Sequence, residues 1–327
     1  EEYETAEGMK PFATRRSIIQ VKGETPVTIT LRWSEAGPVL PGSHYDLASV
    51  TPSGHVAALS WTALSGADTT MTAALRVMQA QTIEDAIAAG RLFVAPAQNL
   101  MLADQTGIAL QVIGHVPMRD PAHPTQGRMP ALGTNAAARW QGTMPYDSNP
   151  RVINPTSGIL GNTNNKTVDR PFPDHLSFLW GDTQRIQRWL SLMQTREVHT
   201  RESFIEAQLD TVSPTARAIL PLIGSELWFT GEAAPDGTPE RLRQRALSLL
   251  AEWNGEMNEH LPEPLIYQAW VRALNDRLIR DELGPLADTI THPDPVFIDR
   301  VFRNTDGAAV WCDVIQSAVA ETCADLS

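Results

Sequence analysis

The stretch Asn154-Pro155-Thr156-Ser157-Gly158-Ile159-Leu160-Gly161-Asn162-Thr163-Asn164-Asn165-Lys166 has the most unusual composition in this 327-residue chain. Three asparagines fall within four residues, after a short apolar pair and two glycines. Such a run is typical of a turn-rich surface loop, because Asn tolerates left-handed backbone and bonds to its own backbone. An Asn amide can also donate a neutral N–H to the oxyanion of a tetrahedral intermediate. The spacing alone favours the surface loop and leaves the catalytic interpretation open.

The sequence on either side of this stretch differs in its hydrophobic pattern. Strands are predicted on the N-terminal side, at residues 17–21, 27–33, 55–61, 100–102 and 108–116, and helical spacing covers residues 70–89, with a helix start at Thr82. Residues 117–173 are dense in Pro, Gly, Asn and Thr and predict loops packed on a body. After residue 182 the pattern is helical almost to the end, with helix starts at residues 200 and 213 and a last helix at residues 309–322. We therefore predict an α+β fold, with a strand- and loop-rich part at residues 1–181 and a mainly helical part at residues 182–327.

Composition and charge exclude several classes of protein. The net charge of -12 and the absence of a basic run argue against a nucleic-acid partner. No stretch approaches the roughly 20 apolar residues that span a bilayer, and the start shows no signal peptide. The two cysteines, Cys312 and Cys323, are compatible with two unrelated thiols or with a disulfide formed in an oxidising compartment.

Self-contained catalytic motifs are not evident. Ser43-His44 lacks the second glycine of a nucleophile elbow and no acid stands beside it, and the histidine next to Glu259 lacks the first histidine of a zinc-protease motif. No complete catalytic motif of this kind therefore identifies the chain as an enzyme.

The central stretch belongs to a longer series of ordered elements. These are Asn149-Pro150-Arg151-Val152-Ile153-Asn154-Pro155-Thr156-Ser157-Gly158, Asn164-Asn165, Phe172-Pro173-Asp174, Phe178-Leu179-Trp180-Gly181 and Arg185-Ile186. The series resembles the penicillin-acylase family, amide hydrolases that use an N-terminal nucleophile. The resemblance implies part of an N-terminal-nucleophile (Ntn) hydrolase αββα sandwich, built from antiparallel sheets, with a large helical portion.

The resemblance also implies roles for individual residues. Asn164 matches the amide that completes the oxyanion hole, and Arg185 matches the arginine that orients the site near the nucleophile's amine. Asn165 and Phe178 match positions of the substrate pocket. Asp174 matches an aspartate that helps to hold calcium in several members, so calcium is possible in the intact protein and no other cofactor is expected. The family's C-terminal cysteine pair implies a Cys312–Cys323 disulfide and export to the periplasm or outside the cell.

The nucleophile itself is not among the matched residues. Family members use a serine at the start of the β-chain, whereas Glu1 has no hydroxyl or thiol. The resemblance therefore implies an internal fragment of the β-chain, inactive alone, whose partners are the remainder of the acylase polypeptide and a small acyl amide. The candidate substrates are β-lactam side-chain amides and N-acyl homoserine lactones. The alternative is a non-catalytic binding or scaffolding protein that keeps the fold.

Overall fold

The computed structural model describes residues 1–181, 183–224, 231–290, 292 and 295–303. The chain divides into two compact units, Glu1–Gly181 and Asp182–Ser327, and each is described by itself. The expected cysteine pair, Cys312 and Cys323, and the predicted helix at residues 309–322 lie outside the described residues.

The first unit contains all the strands found in the described part of the chain. They are β1 (Glu2–Thr5), β2 (Gly8–Pro11), β3 (Ala13–Ile19), β4 (Val27–Ser34), β5 (Gly37–Pro38), β6 (Gln98–Ala103), β7 (Ile108–Ile113), β8 (Pro117–Arg119), β9 (Trp140–Thr143) and β10 (Arg151–Ile153). They form four antiparallel sheets, in the orders β1-β2, β3-β4-β5, β10-β7-β6 and β8-β9. All-antiparallel pairing agrees with the predicted α+β class.

The β10-β7-β6 sheet carries the buried part of this unit. Strand β7 is buried along most of its length, and Ala109 and Leu110 face residue partners on both β6 and β10. The unit also has three α-helices in its described residues: α1 (Leu47–Val50), α2 (Thr70–Gln79) and α3 (Ile83–Gly90). Ile83 and Ile87 of α3 pack against Ala109 of β7. The sheet therefore obtains its hydrophobic cover from a helix that precedes it in the chain.

The start of α3 is fixed by side chains. Thr82 Oγ1 accepts a hydrogen bond from Asp85 N at 3.1 Å, and the Asp85 carboxylate accepts one from Thr82 N at 3.2 Å. This capping box satisfies two donors that the first helical turn leaves unpaired. The predicted helix start at Thr82 is confirmed.

Asp104 connects this helix to the β6–β7 turn. Its carboxylate accepts hydrogen bonds from Ile83 N at 3.0 Å, from Thr106 N at 2.7 Å and from Gly107 N at 3.1 Å. The hydroxyl of Thr106 donates a further bond at 2.6 Å. Because these donors, led by the Thr106 hydroxyl, favour the ionised form, they lower the pKa of Asp104 to about 2.

The regular structure in the described residues of the second unit is helical, apart from one bridge between Val212 and Glu256. Its α-helices are α4 (Gln184–Gln194), α5 (Arg201–Gln208), α6 (Pro214–Ile219), α7 (Pro239–Glu252), α8 (Glu263–Leu283) and α9 (Pro295–Arg303). The side chains of Thr200, Ser213 and Thr238 cap α5, α6 and α7, and Pro214 and Pro239 stand in the first turn. The helix starts predicted at residues 200 and 213 are confirmed.

Helix α8 supplies most of the core of this unit. Tyr267, Trp270, Val271, Leu274 and Leu278 are buried at the spacing of one helical face. They pack against buried residues of the neighbouring elements, namely Ala216, Ile219, Leu220, Ile223, Leu247, Leu250 and Ile298. Among the described residues, no helix combines the length and apolar character of a membrane span.

Two details of the first unit differ from the predictions. Residues 55–61 were predicted as a strand, but they contribute only a single bridge, from Ala58 to Val39. Residues 117–173, predicted as loops, contain the short strands β8, β9 and β10. These strands have only three or four residues each, so they are too short to show a clear alternation. Strands β8 and β9 pair with each other, and β10 pairs with β7.

Substitution of Leu274 by Ala is expected to lower the free energy of unfolding by about 2–5 kcal/mol, because Leu274 is fully buried and Ala leaves a cavity. Urea unfolding measures this change. Leu265→Ala on the same helix is the control, since Leu265 is 76% exposed and its truncation should cost less than about 0.5 kcal/mol. Equal losses in the two variants would contradict the assigned core.

The low pKa of Asp104 predicts a pH dependence of stability. Its ionised form stabilises the fold above its unfolded pKa of about 4, and this contribution is lost as the pH falls towards its folded pKa of about 2. In Asp104→Asn, stability should therefore be lower at pH 6 and should fall less between pH 5 and pH 2. Urea unfolding across this range tests it, with Asp46→Asn as the control because the Asp46 side chain caps no helix. A fall as steep as that of the parent protein would refute the assignment.

Candidate functional site

The asparagine-rich loop begins where β10 ends on the sheet. Asn154 has a positive φ of 46°, and its Oδ1 accepts a hydrogen bond from Ile108 N at 2.9 Å. Its own N–H donates to the carbonyl of Ile108 at 2.9 Å. A Cβ at Gly107 would lie 1.8 Å from Asn154 Oδ1, so only glycine allows this approach. The loop therefore starts from a fixed position at the edge of the buried sheet.

Asn162 holds the middle of the loop. Its Oδ1 accepts hydrogen bonds from Asn99 Nδ2 and from Asn164 N, both at 2.9 Å. Asn99 lies on β6, within the sheet that α3 covers. The Asn162 amide thus ties the backbone of Asn164 to the sheet.

Asn164 is the predicted oxyanion donor, and its backbone is fixed on both sides. Its φ of 66° is left-handed, a conformation that Asn adopts more readily than most residues. Its N–H donates to Asn162, and its carbonyl accepts from Gly181 N at 3.3 Å. The residue is exposed to solvent. An exposed amide on a backbone held in this way can serve as a preorganised donor.

Asn165, predicted in the substrate pocket, is engaged within the loop. Its Oδ1 accepts from Thr163 N at 3.0 Å, and its Nδ2 donates to the carbonyl of Lys166 at 3.2 Å. These bonds stabilise the conformation of the loop. Its part in substrate binding stays a prediction.

Phe178, the second residue predicted in the pocket, is half-buried in an aromatic cluster. The ring of His175 stacks on it, with the centroids 4.2 Å apart, and Phe172 lies 5.3 Å from His175. The guanidinium carbon of Arg128 lies 3.9 Å from the centre of the Phe178 ring. These contacts fix the ring, while its role in binding an acyl group stays a prediction.

His175 and Arg119 add charge and polarity beside Phe178. His175 is 5% exposed, and its Nδ1 has no hydrogen-bond partner in the described residues. Burial, and then the charge of Arg119, lower the pKa of His175 below its usual value of about 6.5, so its ring is neutral at pH 7. Burial also lowers the pKa of Arg119.

Asp174, the predicted calcium ligand, is exposed and stands beside His175 in the chain. Calcium takes six to eight oxygen ligands. The described residues contain no group of three or more His, Cys, Asp or Glu that could hold a metal. The part of the chain that the structure describes therefore does not fit a complete calcium site by itself.

Arg185, the predicted orienting residue, is the second residue of α4. It is exposed and belongs to the second unit, whereas Asn164 belongs to the first. Their pairing in one site therefore stays a prediction.

Comparison with known proteins identifies the family. A family model described as penicillin amidase matches residues 1–327. The chain belongs to the penicillin amidase family. The expected family resemblance is thus confirmed over the whole chain.

Individual relatives agree with this assignment. The chain is 26% identical over 296 residues to acyl-homoserine lactone acylase QuiP of Pseudomonas aeruginosa, and this alignment covers 86% of the chain and 34% of the relative. It is 27% identical over 289 residues to the penicillin acylase 2 proenzyme of a Pseudomonas species, and this alignment covers 87% of the chain and 34% of the relative. The chain thus spans about a third of the length of these penicillin amidase relatives.

A solved structure confirms the fold. A chain of thermostable penicillin G acylase from Alcaligenes faecalis matches with a TM-score of 0.74 at 18% identity, and the match covers 100% of this chain and 62% of that one. At this identity the likeness speaks for the fold alone. The mixed fold of helices and antiparallel sheets is that of an Ntn hydrolase, as the sequence predicted.

Sequence analysis did not single out several residues that build this region. Asn162 stands in the same asparagine run as Asn164, and its supporting role could have been suspected from that position. His175 lies three residues before Phe178, whereas Arg119 and Arg128 are distant in sequence and only the folded chain brings them to this region.

Gly181→Ala is expected to loosen the backbone of Asn164. A Cβ at Gly181 would lie 2.9 Å from the carbonyl oxygen of Asn164, and the hydrogen bond from Gly181 N must lengthen. Loss of one such bond, about 0.5–1.5 kcal/mol, should raise amide hydrogen exchange at Asn164 and Gly181 by about two- to tenfold. Gly133→Ala is the control, because no atom lies within 4 Å of its added Cβ. Unchanged exchange in Gly181→Ala would contradict the proposed support of Asn164.

Proposed function

We propose that this chain is part of an amide-bond hydrolase in which Asn164 donates its side-chain N–H to the oxyanion of the tetrahedral intermediate. The observation that carries the proposal is the exposed position of Asn164, whose backbone is held by Asn162 and Gly181. A donor fixed in advance stabilises the developing charge without reorganisation during the reaction. Membership of the penicillin amidase family supports the same chemistry.

Arg185 is proposed to orient the nucleophile and to keep its amine unprotonated. A permanent positive charge lowers the pKa of a neighbouring amine, and the fork of guanidinium donors fixes the groups around it.

The nucleophile is proposed to be an N-terminal serine contributed by further acylase polypeptide. Its hydroxyl attacks the amide carbonyl while its α-amine takes the proton, and the amine product leaves with that proton as the acyl ester forms. Water then hydrolyses the ester, which releases the carboxylic acid and restores the serine. The length of the relatives, about three times that of the aligned region, supports the presence of further polypeptide.

Exposed apolar side chains also support a polypeptide partner. Met71, Leu75 and Met78 lie along one side of α2 and are 74%, 58% and 81% exposed. Leu179, within the Phe178–Gly181 motif, is 90% exposed. Exposed apolar residues that cluster on one surface are typical of surfaces that another chain covers.

The proposed substrates are small acyl amides, either β-lactam side-chain amides or N-acyl homoserine lactones. The names of the relatives include acylases of both kinds, and this is what supports the two classes.

Export to the periplasm or outside the cell, with a Cys312–Cys323 disulfide, is part of the same proposal. Calcium takes no part in the proposed steps.

The test uses the protein purified from its natural host. Mass spectrometry should find a companion polypeptide that begins with serine, and the preparation should hydrolyse a phenylacetyl amide or an N-acyl homoserine lactone. Asn164→Ala should lower kcat by about 10²–10³, because one oxyanion donor is lost, and should lower Tm slightly, because alanine is strained at a φ of 66°.

Asn258→Ala is the control, since Asn258 is a loop asparagine of the second unit whose side chain accepts a hydrogen bond from His260 N, and the variant should keep full activity. Full activity in Asn164→Ala would refute the assigned donor. A natural gene that encodes no such serine, together with absent turnover, would favour the scaffolding alternative.

A further inference from the structure

Arg119 and Arg128 of the first unit have no acidic partner in the described part of the chain. Arg119 lies against the backbone of Gly127, where an added Cβ would be 2.8 Å from Arg119 Nε. Arg128 follows Gly127 directly and places its guanidinium over the Phe178 ring. The Arg119 side chain thus lies against the turn at Gly127, and the Arg128 guanidinium lies on the aromatic ring of Phe178.

The surroundings of this pair are partly dry. Arg119 is half-buried, and desolvation is the cause that lowers the pKa of its guanidinium. The buried His175, stacked on Phe178, leaves its Nδ1 without a hydrogen-bond partner among the described residues. Both arginine charges act on this ring. Two cations and an unmatched polar atom therefore share one small region.

Some arginines of this unit pair with carboxylates, as Arg91 does with Asp147 at 2.9 Å and Arg139 with Glu7 at 2.7 Å. Arg15, Arg16 and Arg76 do not, but they are exposed, whereas Arg119 is half-buried. Burial of a charge without a counter-charge is costly. A bound anion would therefore offset the positive charge of the region around Arg119 and Arg128.

We infer that Arg119 and Arg128, beside the buried His175 and the Phe178 ring, form a binding site for a carboxylate. The planar guanidinium forks match the two oxygens of a carboxylate. The aromatic wall of Phe178 and Phe172 excludes water from one side of the anion. A singly charged carboxylate suits this half-dry site better than phosphate, because a dianion loses more hydration energy on burial.

Two sources could supply the carboxylate: a free small carboxylic acid, or an Asp or Glu side chain of another polypeptide segment. The inference goes beyond the proposed hydrolysis, since it does not involve Asn164 or Arg185. Activity and carboxylate binding can therefore fail independently.

The test is a nuclear magnetic resonance titration of the 327-residue chain, followed at the His175 ring and at the Arg119 and Arg128 side chains. The probes are sodium acetate and N-acetyl-aspartic acid amide, with sodium chloride at matched ionic strength as the reference. Saturable shifts are expected with at least one carboxylate. Arg119→Gln and Arg128→Gln should each weaken its Kd by about tenfold or more, since a charged hydrogen bond contributes about 1.5–3 kcal/mol.

Arg76→Gln is the matched control, because Arg76 is exposed on α2, away from the aromatic cluster, and should leave Kd unchanged. Arg128 is exposed, so its variant keeps the test valid if Arg119→Gln unfolds. Binding of acetate indicates a free acid as the source, and binding of the aspartyl amide alone indicates a polypeptide side chain. Shifts no larger than those with chloride, unchanged Kd in both variants, or tighter binding of inorganic phosphate would overturn the inference.

Discussion

The amide oxygen of Asn162 accepts two hydrogen bonds at 2.9 Å, one from the side chain of Asn99 and one from the backbone of Asn164. Asn99 belongs to β6, which pairs with the buried strand β7. The position of Asn164 therefore depends on the sheet core and not on the loop alone. A long loop would otherwise sample many conformations, because each unordered residue retains about 1–2 kcal/mol of backbone entropy. The shared oxygen of Asn162 limits this freedom where the candidate chemistry takes place.

The same dependence extends down to the helix that covers the sheet. Ile83 and Ile87 pack on Ala109 of β7, and Asp104 bonds to the first N–H of that helix. The helix start, the β6–β7 turn and the edge that receives Asn154 are thus linked by hydrogen bonds of 2.7–3.1 Å. Surface ion pairs such as Arg91–Asp147 add little, since exposed pairs contribute about 0–1 kcal/mol. Burial and backbone hydrogen bonds, not surface charge, fix the loop.

The sequence predicted best the features whose causes are local. Thr82, Thr200 and Ser213 predict helix starts because an N-cap residue and its helix are neighbours in the chain. Strands β8, β9 and β10 were not predicted because three or four residues show no clear alternation of polar and apolar side chains. Their stability comes from partner strands that are not adjacent in the chain. Residues 55–61 have the composition of a strand but find a partner only at Ala58. Strand formation depends on such pairing, which a single sequence does not display.

The candidate site shows the same division. Asn164 was singled out by composition and by the ordered motif around it, since both lie within a short segment. The support from Asn99 and Gly181, and the group formed by Arg119, Arg128 and His175, join residues far apart in the chain.

Asparagine at position 164 meets two physical demands at once. A φ of 66° strains most side chains, whereas Asn tolerates it at small cost. Its amide also remains neutral at every pH, so it can donate to an oxyanion without taking part in proton transfer. Glycine would satisfy the backbone and lose the donor, and a longer or β-branched donor would be strained by the backbone. The left-handed conformation and the chemistry therefore select the same residue, and a substitution that keeps one of these properties still removes the other.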